Sequence, residues 1–396
     1  MQNVVIVGQG YVGLPLALAA VDAGHNVVGL DIDARKTDSI SCGKSPIEDI
    51  LDEDISRALA TNRYRLNSDI NFDSSTEVIC VCVPTPLNKE HKPDLTILES
   101  AVSAVSQSLK AGMLVIIEST IQPGTTRERL LPLLEKGSGL TRDQFFLAYS
   151  PERIDPLNKK WNVKNTPKLV SGLTHESAKK AKFFYNTFIE NTVISSSLEI
   201  AETAKLLENA FRFINISFIN EVAMFCNQLG IDIKEVIAAA STKPYGFMPF
   251  YPSIGVGGHC IPVDPIYLSS KATEIGSTIS FIDLADKINR SVPQYLIDRA
   301  GRVTNGLKGK KIIVIGVSYK PNVADTRETP VEGLIAGLQE QGAKVFWHDD
   351  LVKEWKGEHS TQLSKNFDLA VIASPHDYLD LSVLGAVPIL DTRGSI

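Results

Sequence analysis

Residues 2–33 read QNVVIVGQGYVGLPLALAAVDAGHNVVGLDID. VVIV has the β-branched composition of a buried strand, and GQGYVG follows it at once. LPLALAAVDAG then reads as a helix closed by glycine, before a second apolar strand that ends in acid. Gly8, Gly10 and Gly13 thus form G-x-G-x-x-G between a strand and a helix. In that context backbone N–H groups around the turn, Tyr11 and Val12 included, receive a pyrophosphate. Asp31 ends the second strand, where a carboxylate accepts from ribose hydroxyls and repels a 2′-phosphate, so NAD is expected over NADP. Arg35 and Lys36 weigh the other way, and Lys36 joins the candidate cofactor contacts.

Working outward, EVICVCVPTP (77–86), MLVIIESTIQPGTT (113–126) and QFFLAYSPERI (144–154) read as further strands that end in polar or proline-rich turns. In a doubly wound sheet ligands lie beyond the carboxyl ends of the strands. Thr85, Glu118, Ser119 and Thr120 are therefore expected near the nicotinamide, although Thr120 serves equally well as a turn cap. Glu152 in Ser-Pro-Glu-Arg is a candidate general base or water-orienting group, or an ordinary loop glutamate.

From Ser197, a plausible N-cap, to Gly230, a plausible stop, the chain has no proline and reads as one long helix. Glu202, Lys205, Asn209 and Arg212 share a narrow arc of it, either as a buried site or as a solvated edge. Lys205 and Asn209 are suited to donate to an oxyanion. The other faces are rich in Leu, Phe and Ile, as expected where a partner helix covers them. The following loop carries Tyr245, Phe247, Phe250 and Tyr251, which suit a nucleobase or a turn staple alike.

Residues 255–268, GVGGHCIPVDPIYL, place Cys260 and Asp264 between a glycine turn and two prolines. Such a segment has little freedom left to lose, so a thiol and a carboxylate can face one cavity. A small buried cysteine is the plain alternative. Beyond residue 310 a second strand, turn, helix and strand follows, with Asp349 placed as Asp31 is. There Val317, Ser318 and Tyr319 replace the glycine turn, and Lys320 and Arg327 supply positive charge for phosphates or are solvated loop cations.

The chain has 396 residues, 43% of them hydrophobic and 22% charged, with a net charge of −6. It is long enough for two or three domains, has no basic cluster for nucleic acid, and no apolar run of the ~18 residues needed to cross a membrane. Five scattered cysteines suit a reducing compartment, so a cytosolic protein is expected. No metal is called for.

An NAD domain, a held thiol and a Lys/Asn donor pair converge on one chemistry. Carrying a primary alcohol to a carboxylate requires an aldehyde to gain a substituent before it loses a second hydride. A thiolate provides one as a hemithioacetal, oxidised to a thioester and then hydrolysed. Two other readings share parts of this pattern: a two-electron hydroxyacid dehydrogenase without a thiol, and a non-catalytic NAD-binding scaffold.

The motifs VGQGYVGLPLA, VCVPTP, EST-x-x-PGTT, SPER, ETAKLLENAFR, PSIGVGGHC-x-P-x-D and SYKPNVADTRE together resemble the UDP-glucose/GDP-mannose dehydrogenase family of nucleotide-sugar 6-dehydrogenases, along essentially the whole chain. The resemblance implies an α/β fold of two Rossmann-like doubly wound domains joined by a central long-helix dimerisation domain. The boundaries expected are 1–195 for NAD, 196–300 for the central helix and cysteine loop, and 301–396 for the nucleotide sugar. By the same resemblance Cys260 is the nucleophile, Lys205 and Asn209 stabilise the oxyanion, and Asp264 with Lys205 handles protons. Thr120 and Glu152 position the hydrolytic water or act as base. Arg153, Arg212, Tyr245, Tyr251, Gly257, His259 and Lys320 join Glu152, Lys205 and Asn209 around the sugar nucleotide, and Arg327 reaches cofactor or substrate phosphates. A homodimer through the central helix is implied as well. GGHC-x-P-x-D with histidine before the cysteine looks like the UDP-N-acetylglucosamine/UDP-N-acetylmannosamine branch, and Val263 stands where glucose and mannose enzymes more often carry lysine. UDP-glucose is the alternative substrate.

Overall fold

The structure, a computed structural model, describes residues 1–70, 72–154, 158 and 160–392. The chain divides into two compact units, 1–207 and 208–396, and the division falls inside the long helix Leu198–Leu229.

In the first unit the strands are β1 (Asn3–Val7), β2 (Asn26–Leu30), β3 (Tyr64–Asn67), β4 (Val78–Val81), β5 (Leu114–Ile117), β6 (Phe146–Tyr149), β7 (Lys168–Gly172) and β8 (Thr192–Ile194). They form one sheet in the order β3-β2-β1-β4-β5-β6-β7-β8. β1 lies parallel to β2 and β4, with Val4 opposite both Val27 and Val78. Helices cover both faces of such a sheet, and this is why VVIV, VICV and LVII are apolar throughout and buried. The first helix, Gly13–Asp22, is buried over most of its surface, which its run of alanine and leucine permits. The last two strands are reversed: β7 runs antiparallel to β6, pairing Ala148 with Gly172 and Tyr149 with Ser171, and β8 lies parallel to β7.

In the second unit β9 (Lys311–Ile315), β10 (Lys344–His348), β13 (Leu369–Ile372) and β14 (Ile389–Asp391) make a parallel sheet in the order β10-β9-β13-β14. A small hairpin of β11 (Glu354–Trp355) and β12 (Glu358–His359) follows β10. The α/β class with two doubly wound sheets is as expected. The long helix spans about 48 Å at 1.5 Å per residue. The Ser197 hydroxyl accepts the Ile200 N–H at its start, and Gly230 follows its end at φ +71°. Phe211, Phe218, Phe225 and Leu229 form an exposed apolar row along it, spaced 7, 7 and 4. Among the described residues no helix is long and apolar enough to cross a membrane.

Candidate active site

The three glycines of the first turn are glycines for different reasons. Gly8 sits at φ +95°, and a Cβ there would lie 2.6 Å from the Cys82 carbonyl oxygen. A Cβ on Gly13 would fall on the Gly8 carbonyl, so this glycine lets helix and strand close together. Gly10 has a negative φ, and a Cβ there would meet nothing within 4 Å. No protein atom requires glycine at position 10, whereas a ligand lying against the backbone does. The first helix has Val12 at its N-cap and no capping side chain, so no side chain occupies the N–H groups at its start. The residues present therefore fit a dinucleotide.

Asp31 accepts the Gln9 N–H at 2.9 Å and the Asp33 N–H at 3.0 Å, and pairs with Lys36 at 3.3 Å. Lys36 is thus neutralised beside the expected ribose site, which favours a 2′-hydroxyl over a 2′-phosphate there. Gln9, unremarked in the sequence, is wholly buried and ties the turn together. Its amide donates to the Ile6 carbonyl at 2.8 Å and accepts from the Tyr64 hydroxyl at 2.6 Å. Tyr11 lines an open cleft of about 590 Å³ with residues 45–48 and 50–53.

At the carboxyl ends of β4 and β5 the Thr85 hydroxyl donates to the Thr120 carbonyl at 2.8 Å, and the Ser119 hydroxyl to that of Val83 at 2.7 Å. Glu118 is buried and paired with Lys168 at 2.6 Å, and Tyr185 donates to its other oxygen at 2.6 Å. Glu152 is a partly buried group rather than a solvated loop residue: one oxygen accepts the N–H groups of Arg153 and Ile154, each at 2.6 Å, and the other lies 3.4 Å from Lys168. The Arg153 guanidinium donates to the Pro167 carbonyl at 3.0 Å.

In the second unit Cys260 is exposed, so it is not a small core hydrophobe. Its carbonyl accepts the N–H groups of Val263 and Asp264 and starts the helix Asp264–Glu274. Asp264 is buried and accepts the Asn209 amide at 2.5 Å. The glycines before the cysteine are required by packing. A Cβ on Gly257 would lie 2.6 Å from the Glu328 carbonyl and 2.9 Å from Tyr319, and Gly258, at φ +85°, has the Tyr319 ring beside it. Tyr319 thus backs the cysteine loop, and the Gly258 N–H donates to the Arg327 carbonyl at 3.3 Å. The Arg327 side chain is held by Asp325, with Nε at 2.8 Å. Lys320 lies over the Tyr319 ring at 5.8 Å. Loss of water around the His259 ring, aided by the Arg327 charge, lowers its pKa below the usual imidazole value.

The polar arc of the long helix separates by role. Glu202 is fully buried and accepts the N–H groups of Gly124 at 2.6 Å and Thr126 at 3.0 Å, so it holds the Pro-Gly-Thr-Thr turn. Lys205 is buried one turn before Asn209, and Arg212 is exposed. Phe250 packs edge-on against Phe211 as a staple, whereas Tyr245 and Tyr251 are exposed. Among the described residues no group of three His, Cys, Asp or Glu stands ready for a metal.

Comparison with known proteins agrees with this geometry. Sequence models for the NAD binding, central and UDP binding domains of the UDP-glucose/GDP-mannose dehydrogenase family match residues 2–189, 199–291 and 313–396. A UDP-N-acetyl-D-glucosamine 6-dehydrogenase of Pseudomonas aeruginosa is 37% identical over 90% of this chain and 85% of its own length. A UDP-N-acetyl-D-mannosamine dehydrogenase of Pyrococcus horikoshii is 33% identical over 94% and 89%. The solved structure of UDP-D-ManNAc dehydrogenase from Pyrococcus horikoshii superposes with a TM-score of 0.91 at 30% identity, over 99% of this chain and 95% of that one. With a dinucleotide turn, an exposed cysteine on a rigid loop and three matched domains, the chain belongs to the UDP-glucose/GDP-mannose dehydrogenase family of NAD-dependent nucleotide-sugar dehydrogenases.

Proposed function

We propose that this protein oxidises the C6 primary alcohol of a UDP-N-acetylhexosamine, UDP-N-acetylglucosamine or UDP-N-acetylmannosamine, to the uronic acid, with Cys260 as covalent nucleophile. The observation that carries the reading is the exposed Cys260 on a loop whose carbonyl starts the helix of Asp264, with Asn209 bonded to that carboxylate. Two NAD molecules, bound in succession at the first turn, would each supply the acceptor for one hydride per turnover. Asp264 and Lys205 move the proton of the alcohol. The Cys260 sulfur adds to the aldehyde carbon to give a hemithioacetal, and Lys205 and Asn209 donate to its oxygen. Loss of the second hydride leaves a thioester. Water, oriented by Thr120 and deprotonated by Glu152, adds to the carbonyl, the C–S bond breaks and the thiol is restored. His259, neutral above its lowered pKa, adds no charge beside the sulfur.

The domain division 1–195, 196–300 and 301–396 belongs to the same proposal, and the matched ranges support it. Arg153, Arg212, Tyr245, Tyr251, Gly257, His259 and Lys320 are assigned to the sugar nucleotide and Arg327 to phosphate. The exposed row Phe211, Phe218, Phe225 and Leu229 supports a homodimer through the long helix, because a monomer rarely leaves such a row uncovered. The names of the relatives, one acting on the glucosamine and one on the mannosamine compound, support an N-acetylated sugar. UDP-glucose remains the second substrate reading through the family itself.

Incubation with a panel of UDP- and GDP-sugars tests the proposal by NADH formed per sugar consumed. Two NADH from a UDP-N-acetylhexosamine are expected, together with loss of about 10⁴-fold or more in kcat for Cys260→Ala. One NADH per sugar with an active Cys260→Ala variant identifies a two-electron dehydrogenase instead.

A further inference from the structure

The reversal of β7 has a chemical result. Because β7 runs against β6, its first residue, Lys168, lies at the edge of the sheet where β5 and β6 end, and dinucleotide substrates are handled beyond that edge. Lys168 reaches Glu118, just past β5, at 2.6 Å, and Glu152, just past β6, at 3.4 Å. Its side chain is 6% exposed, that of Glu118 0% and that of Glu152 17%. Tyr185 closes the far side by donating to Glu118 at 2.6 Å.

One ammonium therefore serves two carboxylates. A clamp between strands needs only one, and apolar residues of similar volume hold strands together at least as well as a buried pair does. The second carboxylate is the one assigned above to the hydrolytic water. Its first oxygen is fixed by the N–H groups of Arg153 and Ile154, and its second faces Lys168. Cys80 in β4, Cys82 just past it and Tyr185 also face this cluster, and burial holds each in its neutral form. Burial alone would lower the Lys168 pKa, but Glu118 and Glu152 outweigh it and keep the ammonium charged.

We propose that Lys168 is a positioning residue for Glu152: it orients the carboxylate toward the hydrolytic water, while Glu118 and Tyr185 hold the lysine in place. This rests on Glu152 acting as the base.

The test measures kcat, KM and the pH profile of NADH formation with a UDP-sugar that turns over. Lys168→Met leaves Glu152 beside Glu118 with no cation between them. The acid limb of kcat is expected to move up by about one pH unit and kcat at neutral pH to fall about tenfold or more. KM for sugar and for NAD stays within about twofold. The sugar nucleotide accumulates on Cys260, read by intact mass after quenching. Lys168→Arg keeps the charge and returns the acid limb toward its original position. Should Lys168→Met fail to fold, Lys168→Met/Glu118→Gln, which removes both charges of the buried pair, carries the test. Normal kcat and an unshifted profile in that double variant overturn the proposal and leave Lys168 a strand clamp. Glu152→Gln separates the two readings: if it turns over at the normal rate, Glu152 is not the base, whatever Lys168 does.

Discussion

The two doubly wound sheets begin alike and use their first turn in opposite ways. In the first unit β1 runs through Gly8 to a helix that starts at Gly13, and the space beside Gly10 is left to a ligand. In the second unit β9 runs through Gly316 at φ +85°, but the next helix, Val331–Glu340, starts far later. The chain between them, from Ser318 to Thr329, carries Tyr319 against the glycines of the cysteine loop. The two aspartates diverge in the same sense. Asp31 holds the turn through Gln9 and Asp33 and keeps an ion pair with a partly exposed lysine. Asp349 is fully buried, and accepts the N–H groups of Val317, Leu351 and Val352, each at 2.9 Å, and His376 at 2.8 Å. The other ring nitrogen of His376 accepts the Asn322 N–H at 2.9 Å, so the carboxylate anchors the long loop at a second point. One turn is shaped for a phosphate, and the other for a neighbouring piece of protein. The topology is shared, and helix position and burial of the acid decide the use.

Substitutions break this contrast most directly at the acids. Asp349→Ala leaves His376 and three N–H groups without their buried acceptor and is expected to cost about 3–5 kcal/mol in urea unfolding. Asp31→Ala costs less, about 1–2 kcal/mol, and shows instead as weaker NAD binding by fluorescence titration. Equal losses at the two sites would undo the distinction. At the glycines, Gly316→Ala forces a Cβ into the Ser374 backbone and Gly13→Ala forces one onto the Gly8 carbonyl, each costing about 2–4 kcal/mol by thermal unfolding. Gly10→Ala is expected to leave the apoprotein within about 0.5 kcal/mol of the parent and to weaken NAD at least tenfold. Tyr319→Ala removes the backing of the cysteine loop without touching the first turn. It is expected to lower kcat about tenfold while the NAD dissociation constant stays within about twofold.

The smallest effect concerns pH. The folded pKa of His259 lies below its unfolded value, so the unfolded chain binds the proton more readily. Stability therefore falls as pH drops through about 6.5 toward the lower folded value, and His259→Gln removes that part of the slope. Melting temperature measured between about pH 5 and 7 reads the difference.

Much of this architecture was legible in the sequence, and particular residues show why. The Gly8 to Gly13 turn, the long helix from Ser197 to Gly230 and the cysteine loop rest on local backbone demands, and local composition reports those faithfully. The polar arc on the long helix was legible only as an arc. Its members meet different partners, Glu202 the turn at Gly124 and Asn209 the carboxylate of Asp264. Nothing in the local sequence marks Lys168 as the partner of two carboxylates, and Gln9 is by sequence only a spacer between glycines.

By itself, the sequence determined where the strands flanking the first glycine turn and the long helix run, where glycine is needed and which residue types could do chemistry, because near-neighbour sterics and hydrogen bonding settle such matters within a few positions. The tertiary structure alone decided which charges meet. Lys168 and Glu118 are far apart in the chain, and only the reversed direction of β7 and the register of the sheet bring ammonium and carboxylate to 2.6 Å. Burial then gives that contact its energetic weight, since a buried charge is stable only beside its partner.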